Sequence, residues 1–214
     1  MKKHFKTFIL LLGVVIVTGI TGCSGGGVNG EGTSSSADIN APVVRGNVTN
    51  DAGWNYVNKG QYESAIKYFN DVLADSPTVE ERAEANNGIG WAKAKNGKMK
   101  DGMKWFQLAA DYSDDAKVGL AAAYLQQASL SDLEEVIDIL YDQLGHKSDS
   151  FAYVPRRNTG VTNADVHAML AYAFAATGDS ENAEKQLNIA KELQPNYTGT
   201  TLAQIISAIE FLNN

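Results

Sequence analysis

Few residue types in this chain could do chemistry, and the cysteine among them is Cys23. Because the chain has a single cysteine, its thiol cannot form an intramolecular disulfide. The histidines that follow it, His146 and His167, are not accompanied by a cysteine–histidine cluster of zinc-binding spacing. The sequence also lacks an HExxH motif, a nucleophile elbow and a phosphate-binding loop. We therefore predict that the protein is not an enzyme and has no metal or cofactor.

The segment before Cys23 has the composition of an export signal. Residues 1–6 are rich in basic side chains, no acid precedes Glu31, and residues 8–17 are apolar. This apolar run is shorter than the roughly 20 residues that a membrane-spanning helix needs. The tripeptide Ile-Thr-Gly at 20–22, directly before Cys23, resembles the lipobox of bacterial lipoproteins. The resemblance implies cleavage before Cys23 and attachment of fatty acyl groups such as palmitate; the alternatives are an ordinary secretory signal with an incidental cysteine, and an uncleaved anchor.

The lipobox resemblance also implies a location. Ser24 rather than an aspartate follows the cysteine, and in many two-membrane bacteria this pattern resembles that of sorting to the outer membrane. We therefore expect the lipid at Cys23 to anchor the protein in the cell envelope, at the periplasmic face of the outer membrane if the bacterium has two membranes. The Gly/Ser-rich composition that follows predicts a flexible tether. The predicted division is a lipoprotein signal peptide at 1–22, the lipidated cysteine and tether at 23–47, and a folded domain at 48–214.

The charge balance limits the class of partner. The chain has a formal net charge of -7 and a pI near 4.9. Some of its basic residues lie in the predicted signal peptide, so the remaining chain is more acidic still. An acidic surface repels nucleic acid and anionic headgroups at long range. We therefore expect no nucleic-acid partner, and contact with the membrane through the covalent lipid.

The folded part repeats a pattern of small residues, aromatic residues and prolines. In the two clearest units, a small residue, an alanine and a closing proline are equally spaced. These positions are Gly53, Ala65 and Pro77 in the first unit and Ala171, Ala183 and Pro195 in the last. Both units resemble the tetratricopeptide repeat, a helix pair of about 34 residues. The small residues allow the two helices of a pair to approach closely, while aromatic residues fill the space between pairs at Tyr56, Phe69, Phe106 and Tyr124.

Two units in the middle match the pattern less well. The second has the small residue Gly90, but Gly102 replaces the usual alanine and Asp114 the usual proline. The third, around Ala121, has no glycine between its helices. Residues 131–134 (Ser-Asp-Leu-Glu) predict a capping box at the start of its second helix.

Together the units predict an all-α domain of about four repeats. The resemblance implies antiparallel helix pairs stacked as a right-handed solenoid. Residues 200–214 carry an apolar stripe at helical spacing, which predicts a C-terminal capping helix over the last repeat. A membrane-surface helix is the alternative, but this segment lacks a basic face and contains Glu210.

The resemblance implies a binding groove along the inner faces of the first helices of the pairs. Aromatic rings there would supply contact area, and amides would bond to a bound peptide's backbone. The alternative for the tryptophans is packing between helices. The register of the repeats predicts these partner-binding residues: Trp54, Trp91, Tyr172, Asn50, Asn87, Asn58 and Lys95.

The longest insertion, at 145–161, is a second candidate binding region, because long loops in compact domains are often functional. Arg156 and Arg157 form a basic spot suited to an acidic partner. We expect Phe151 and Tyr153 to pack onto the domain. The alternative is an ordered loop whose arginines are solvated.

These observations favour a lipid-anchored scaffold or adaptor that binds an envelope protein or peptide segment. A second hypothesis is a lipoprotein that captures a glycan or small molecule through Trp54, Trp91 and Tyr172, which a deep closed pocket would favour. A third is a structural spacer, which is favoured if the chain's own tether or C-terminal helix fills the groove.

Overall fold

The computed structural model describes residues 49–148 and 150–195, and this part of the chain is all-α, as predicted. The predicted signal peptide, lipidated cysteine, tether and C-terminal capping helix lie outside the described residues. The α-helices are α1 (Asn50–Asn58), α2 (Tyr62–Ala74), α3 (Val79–Lys95), α4 (Met99–Ala109), α5 (Asp114–Gln127), α6 (Leu130–Ile137), α7 (Asn163–Thr177) and α8 (Ser180–Leu193). The 3-10 turn Ala110–Tyr112 follows α4, and the π-helix Asp138–Gln143 continues α6.

The helices form two layers. Each α-helix packs against the next one along the chain. In addition, α1 packs against α3, α3 against α5 and α5 against α7. The odd-numbered helices therefore form a continuous inner layer and the even-numbered helices an outer layer, which is the arrangement of a helical solenoid.

Two phenylalanines fill the junctions between successive helix pairs, and glycines make room for them. Phe69 on α2 is fully buried between Gly53 on α1 and Gly88 on α3. A Cβ atom added to either glycine would lie 2.5 Å or 2.2 Å from the ring. Phe106 is held in the same way between Gly90 and Gly119, where the corresponding distance is 2.5 Å at both. The interpretation that small residues permit close helix approach is therefore confirmed at Gly53 and Gly90.

The turns within the pairs use left-handed backbone at one residue. Glycine takes this conformation in three pairs, with φ of 72° at Gly60, 76° at Gly97 and 96° at Gly178. In the third pair Ala128 takes it, with φ of 52°. Ala128 therefore occupies the turn position at which the other pairs have glycine, with the same left-handed backbone. An L residue in this conformation is strained.

Capping boxes begin three helices. Thr78 with Glu81 caps α3, and Thr162 with Asp165 caps α7. The box of α6 consists of Ser129 and Asp132, so the prediction of a box over 131–134 was wrong by two residues. The reason is physical: the shorter carboxylate of Asp132 reaches back to the Ser129 backbone N–H and replaces the glutamate expected at that position.

Candidate functional site

A segment without helix or strand lies on the inner layer. It comprises residues 151–161, which we call the strap, within the connection between the π-helical end of α6 and α7. The strap contains neither helix nor strand. Tyr153 and Thr159 are buried, whereas Val154 is exposed. One side of the strap therefore packs against the domain and the other faces solvent.

Asp115, near the start of α5, binds the centre of the strap. Its Oδ1 accepts a hydrogen bond from the Tyr153 hydroxyl at 2.8 Å and from the Arg156 backbone N–H at 3.1 Å. Its Oδ2 accepts from the Arg157 backbone N–H at 2.9 Å. Burial raises the pKa of Asp115, and the three hydrogen bonds oppose that shift. Burial also raises the pKa of Tyr153, so this phenol remains a hydrogen-bond donor at neutral pH.

Arg157 joins the strap to the first two helix pairs. Its Nε donates to Oε1 of Glu84 on α3 at 2.5 Å, and its Nη1 donates to Oδ1 of Asp51 on α1 at 2.7 Å. The same Glu84 oxygen accepts from the indole N–H of Trp54 at 2.9 Å. The guanidinium carbon lies 5.7 Å from the centre of the Trp54 ring, within the range of a cation–π contact. We expected Arg157 to contact an acidic partner. Its acidic partners in the structure are instead Glu84 and Asp51 of the same chain.

The three predicted aromatic residues of the groove are core residues in this structure. Trp54 and Trp91 are each 2% exposed and Tyr172 is 3% exposed. Trp54 packs edge-on against Phe69 and Trp91 edge-on against Phe106, with ring centres 5.8 Å and 5.3 Å apart. The indole N–H of Trp91 donates to the backbone oxygen of Asp115. These contacts are those of the packing alternative, and the rings are not accessible to a ligand in this conformation.

The predicted polar residues have different environments. Asn50 donates to the backbone oxygen of Glu81 at 2.9 Å, and Asn58 is exposed. Lys95 is half-buried, which lowers its pKa, and its Nζ would lie 3.5 Å from a Cβ added to Gly160 of the strap. Lys95 therefore lies beside the second half of the strap.

Asn87 and Arg156 differ most from what their positions in the sequence suggest. Asn87 is fully buried, and neither its amide nitrogen nor its amide oxygen has a hydrogen-bond partner. The Arg156 side chain is exposed, and its backbone N–H binds Asp115. Arg156 thus contributes a backbone contact to the strap and presents its charge to solvent.

A pair of buried histidines packs beside the strap. The rings of His146 and His167 meet edge-on with centres 4.8 Å apart. His146 bonds to the Leu140 backbone oxygen and to Oδ1 of Asn163, and that oxygen also accepts from the Tyr153 backbone N–H at 2.8 Å. Burial lowers the pKa of both histidines. The spacing of these histidines in the sequence does not indicate this pairing.

The histidine pair also meets the strap at its N-terminal end. Phe151 packs edge-on against His146 with ring centres 5.0 Å apart. Together with the burial of Tyr153, this contact confirms the expectation that both aromatic residues of the insertion pack onto the domain. On the inner layer the strap is therefore anchored at Phe151, Tyr153 and Arg157.

Within residues 49–148 and 150–195, no His, Asp or Glu side chains form a group of three or more that could hold a metal ion. None of the helices in these ranges has the length and hydropathy needed to cross a membrane.

Comparisons with known proteins identify the helix pairs. Two models of the tetratricopeptide repeat match the chain, one over residues 50–117 and the other over residues 164–197. The first match spans α1 to α4 and the beginning of α5, and the second spans α7 and α8. No curated protein matches the chain. The helix pairs, their glycine-lined junctions and these matches together show that this is a protein containing tetratricopeptide repeats.

Proposed function

We propose that this protein is a lipid-anchored scaffold or adaptor of the cell envelope that binds a segment of another protein on its inner layer. Tetratricopeptide repeats are typically non-catalytic modules of protein–protein interaction. The observation that carries the proposal is the strap: the inner layer holds an irregular segment through side-chain and backbone hydrogen bonds at Asp115. A surface that binds one such segment has hydrogen-bonding groups that can bind another.

The anchor is proposed from the sequence. The Ile-Thr-Gly-Cys motif ending at Cys23 supports lipidation, and the Gly/Ser-rich residues that follow support a tether between lipid and repeats. Two or more acyl chains give stable membrane attachment. The lipid would fix the scaffold in the envelope, with Ser24 favouring the outer membrane where there are two.

A structural spacer is the second candidate, because the inner layer is already occupied. Among the described residues the occupying segment is the strap; the tether and the C-terminal segment, which we expected to fill the groove in that case, lie outside the described residues. Glycan binding through Trp54, Trp91 and Tyr172 is not retained, since each of these rings is buried among neighbouring helices.

The scaffold proposal is tested by crosslinking in cells that express the full-length protein, followed by affinity capture from gently solubilised membranes. Labelling with an alkyne fatty acid reports lipidation, and Cys23→Ser is the matched control. We expect one dominant envelope complex with the wild-type chain, and its loss together with the label in Cys23→Ser. Recovery of no protein partner with a folded, labelled chain would overturn the scaffold and leave the spacer. Absence of the label from the wild-type chain would overturn the anchor.

A further inference from the structure

We propose that the strap is an intramolecular ligand whose chemistry defines the partner: a segment without helix or strand in which an arginine follows a tyrosine by four residues, bound by the carboxylates of Asp51, Glu84 and Asp115. A partner segment of this kind would replace the strap on the inner layer. This inference rests on the proposed function, because it assigns the recognition chemistry of the same surface.

The recognising acids come from three successive helix pairs. Asp51 lies on α1, Glu84 on α3 and Asp115 on α5. The distances from the strap to these carboxylates are 2.7 Å, 2.5 Å and 2.8 Å, in that order. Glu84 and Asp115 are 8% and 2% exposed, so two of the three charges are held away from water. A buried carboxylate is unfavourable unless it is paired or hydrogen-bonded, and these two therefore favour an occupied inner layer.

The strap makes the contacts that a bound peptide makes. Two of its backbone N–H groups, at Arg156 and Arg157, donate to a side chain of the domain rather than to other strap residues. Tyr153 supplies the buried ring and its hydroxyl, and Arg157 supplies a charge that meets two carboxylates. Backbone bonds would give affinity for any extended segment, while the tyrosine and the arginine would give specificity.

The strap does not satisfy every polar group of the inner layer. The amide of Asn87, one helical turn after Glu84 on α3, is fully buried and lacks a hydrogen-bond partner, and so does the amide oxygen of Asn50. Buried polar groups are normally hydrogen-bonded, and leaving them unpaired is unfavourable. A segment that reached the Asn87 amide with a donor and an acceptor would make hydrogen bonds that the strap does not make.

The architecture permits exchange. The strap begins after the π-helical end of α6 and finishes before Thr162, whose side chain caps α7. The three hydrogen bonds that the strap makes to Asp115 on α5 therefore do not involve the flanking helices α6 and α7. Release of the strap from Asp115 leaves the backbone hydrogen bonds of α6 and α7 intact. Because both ends are covalently attached, the strap competes at the millimolar effective concentration that is typical of a short linker. A partner in trans must overcome that competition, so weakening the strap should strengthen partner binding.

The test uses the full-length lipidated chain in detergent and a fluorescent peptide copy of residues 151–161, with capped ends. The strap variant Tyr153→Phe/Arg157→Ala leaves all three carboxylates in place. We expect this variant to bind the peptide at least tenfold more tightly than the wild-type chain does. A control peptide with phenylalanine and alanine at the positions of Tyr153 and Arg157 should lose that gain, as should Glu84→Gln introduced into the strap variant. Circular dichroism establishes that each variant is folded.

If the double variant does not fold, Arg157→Gln alone is used, since it removes the two ion pairs and the cation–π contact of that side chain but leaves Tyr153 in place. Equal binding of both peptides, or no binding of either to a folded strap variant, would overturn the proposed recognition chemistry. That result is separable from failure of the scaffold, which is decided by whether crosslinking in cells recovers a protein partner at any surface.

Discussion

The hydroxyl of Tyr153 donates a hydrogen bond of 2.8 Å to the carboxylate of Asp115, which precedes it by 38 residues. The bond links the long insertion to the inner layer, and the same carboxylate accepts two backbone N–H groups of the strap. One buried acid thus organises a segment that has no secondary structure of its own. The central part of the strap is therefore held by Asp115 together with the Arg157 bonds to Glu84 and Asp51.

Replacement of Asp115 by asparagine should loosen the strap without melting the helices. Asparagine can accept on one side only, and its amide NH2 would face a strap donor that is left unpaired. We expect the free energy of unfolding to fall by about 2–3 kcal/mol, which is the range for losing hydrogen bonds to a charged group. Denaturant unfolding measures the loss, and hydrogen exchange should show faster exchange at the Arg156 and Arg157 amides.

The matched control for this change is Asp114→Asn. Asp114 is the adjacent exposed residue in the same first turn of α5, so the substitution removes a similar interaction with the helix dipole. It should cost no more than about 1 kcal/mol and leave the strap amides protected. Equal effects of the two substitutions would show that Asp115 acts through the helix terminus and not through the strap.

A methyl group at Gly88 should destabilise the junction between the first two helix pairs. Glycine to alanine in the middle of a helix ordinarily stabilises by about 1 kcal/mol. Here the added Cβ would lie 2.2 Å from the Phe69 ring, which is fully buried. Overpacking costs about 1–3 kcal/mol, so we expect Gly88→Ala to lower the free energy of unfolding by up to about 2 kcal/mol after the gain in helix propensity.

A loss of stability in Gly88→Ala would show that overpacking outweighs the gain in helix propensity, and a gain would show the reverse. Thermal or urea unfolding measures the change in the free energy of unfolding. The companion variant Phe69→Leu removes the ring that the methyl group meets. Gly88→Ala should therefore cost less in the Phe69→Leu background than in the wild-type chain, because residues in contact are not additive. Additive losses would mean that the ring is not the obstacle.

Ala128→Gly should stabilise the third helix pair. Ala128 has φ of 52°, which costs an L residue roughly 1–2 kcal/mol. Glycine removes this strain but makes the unfolded chain more flexible, at a cost of roughly 0.5–1 kcal/mol. We expect a net gain of up to about 1 kcal/mol in the free energy of unfolding. The reverse change at the equivalent turn, Gly97→Ala, should destabilise the fold, because Gly97 has φ of 76°. The space around Gly97 is open, so the loss would come from backbone strain and not from a steric clash.

The helix pairs could be predicted from the sequence because their determinants are local and periodic. Gly53, Gly90 and the rings of Phe69 and Phe106 recur at repeat spacing, and each meets a neighbour in its own or the adjacent pair. The third pair was harder to recognise because Ala128 occupies the turn position that glycine takes elsewhere.

The site could be predicted only in part. The register of the repeats placed Trp54 and Trp91 on the correct helices, but periodicity does not distinguish a ring that faces a groove from one that packs on Phe69 or Phe106. Asp115 and Glu84 were missed, because they resemble solvated acids of a helix surface until the strap is placed against them. Their strap partners are 38 to 73 residues away in sequence, beyond any local pattern.

The buried histidine pair should make stability depend on pH. Burial lowers the pKa of His146 and of His167 below the ordinary value of 6.5, and their close approach lowers that of His167 further. Below pH 6.5 the unfolded chain therefore binds protons that the folded chain does not, so the free energy of unfolding falls as the pH falls. The slope is at most about 1.4 kcal/mol per pH unit for each histidine. Urea unfolding between pH 7.5 and 5.0 measures this slope, and His167→Gln should reduce it while retaining a polar partner for Gln186. An unchanged slope in a folded His167→Gln variant would assign the pH dependence to other groups.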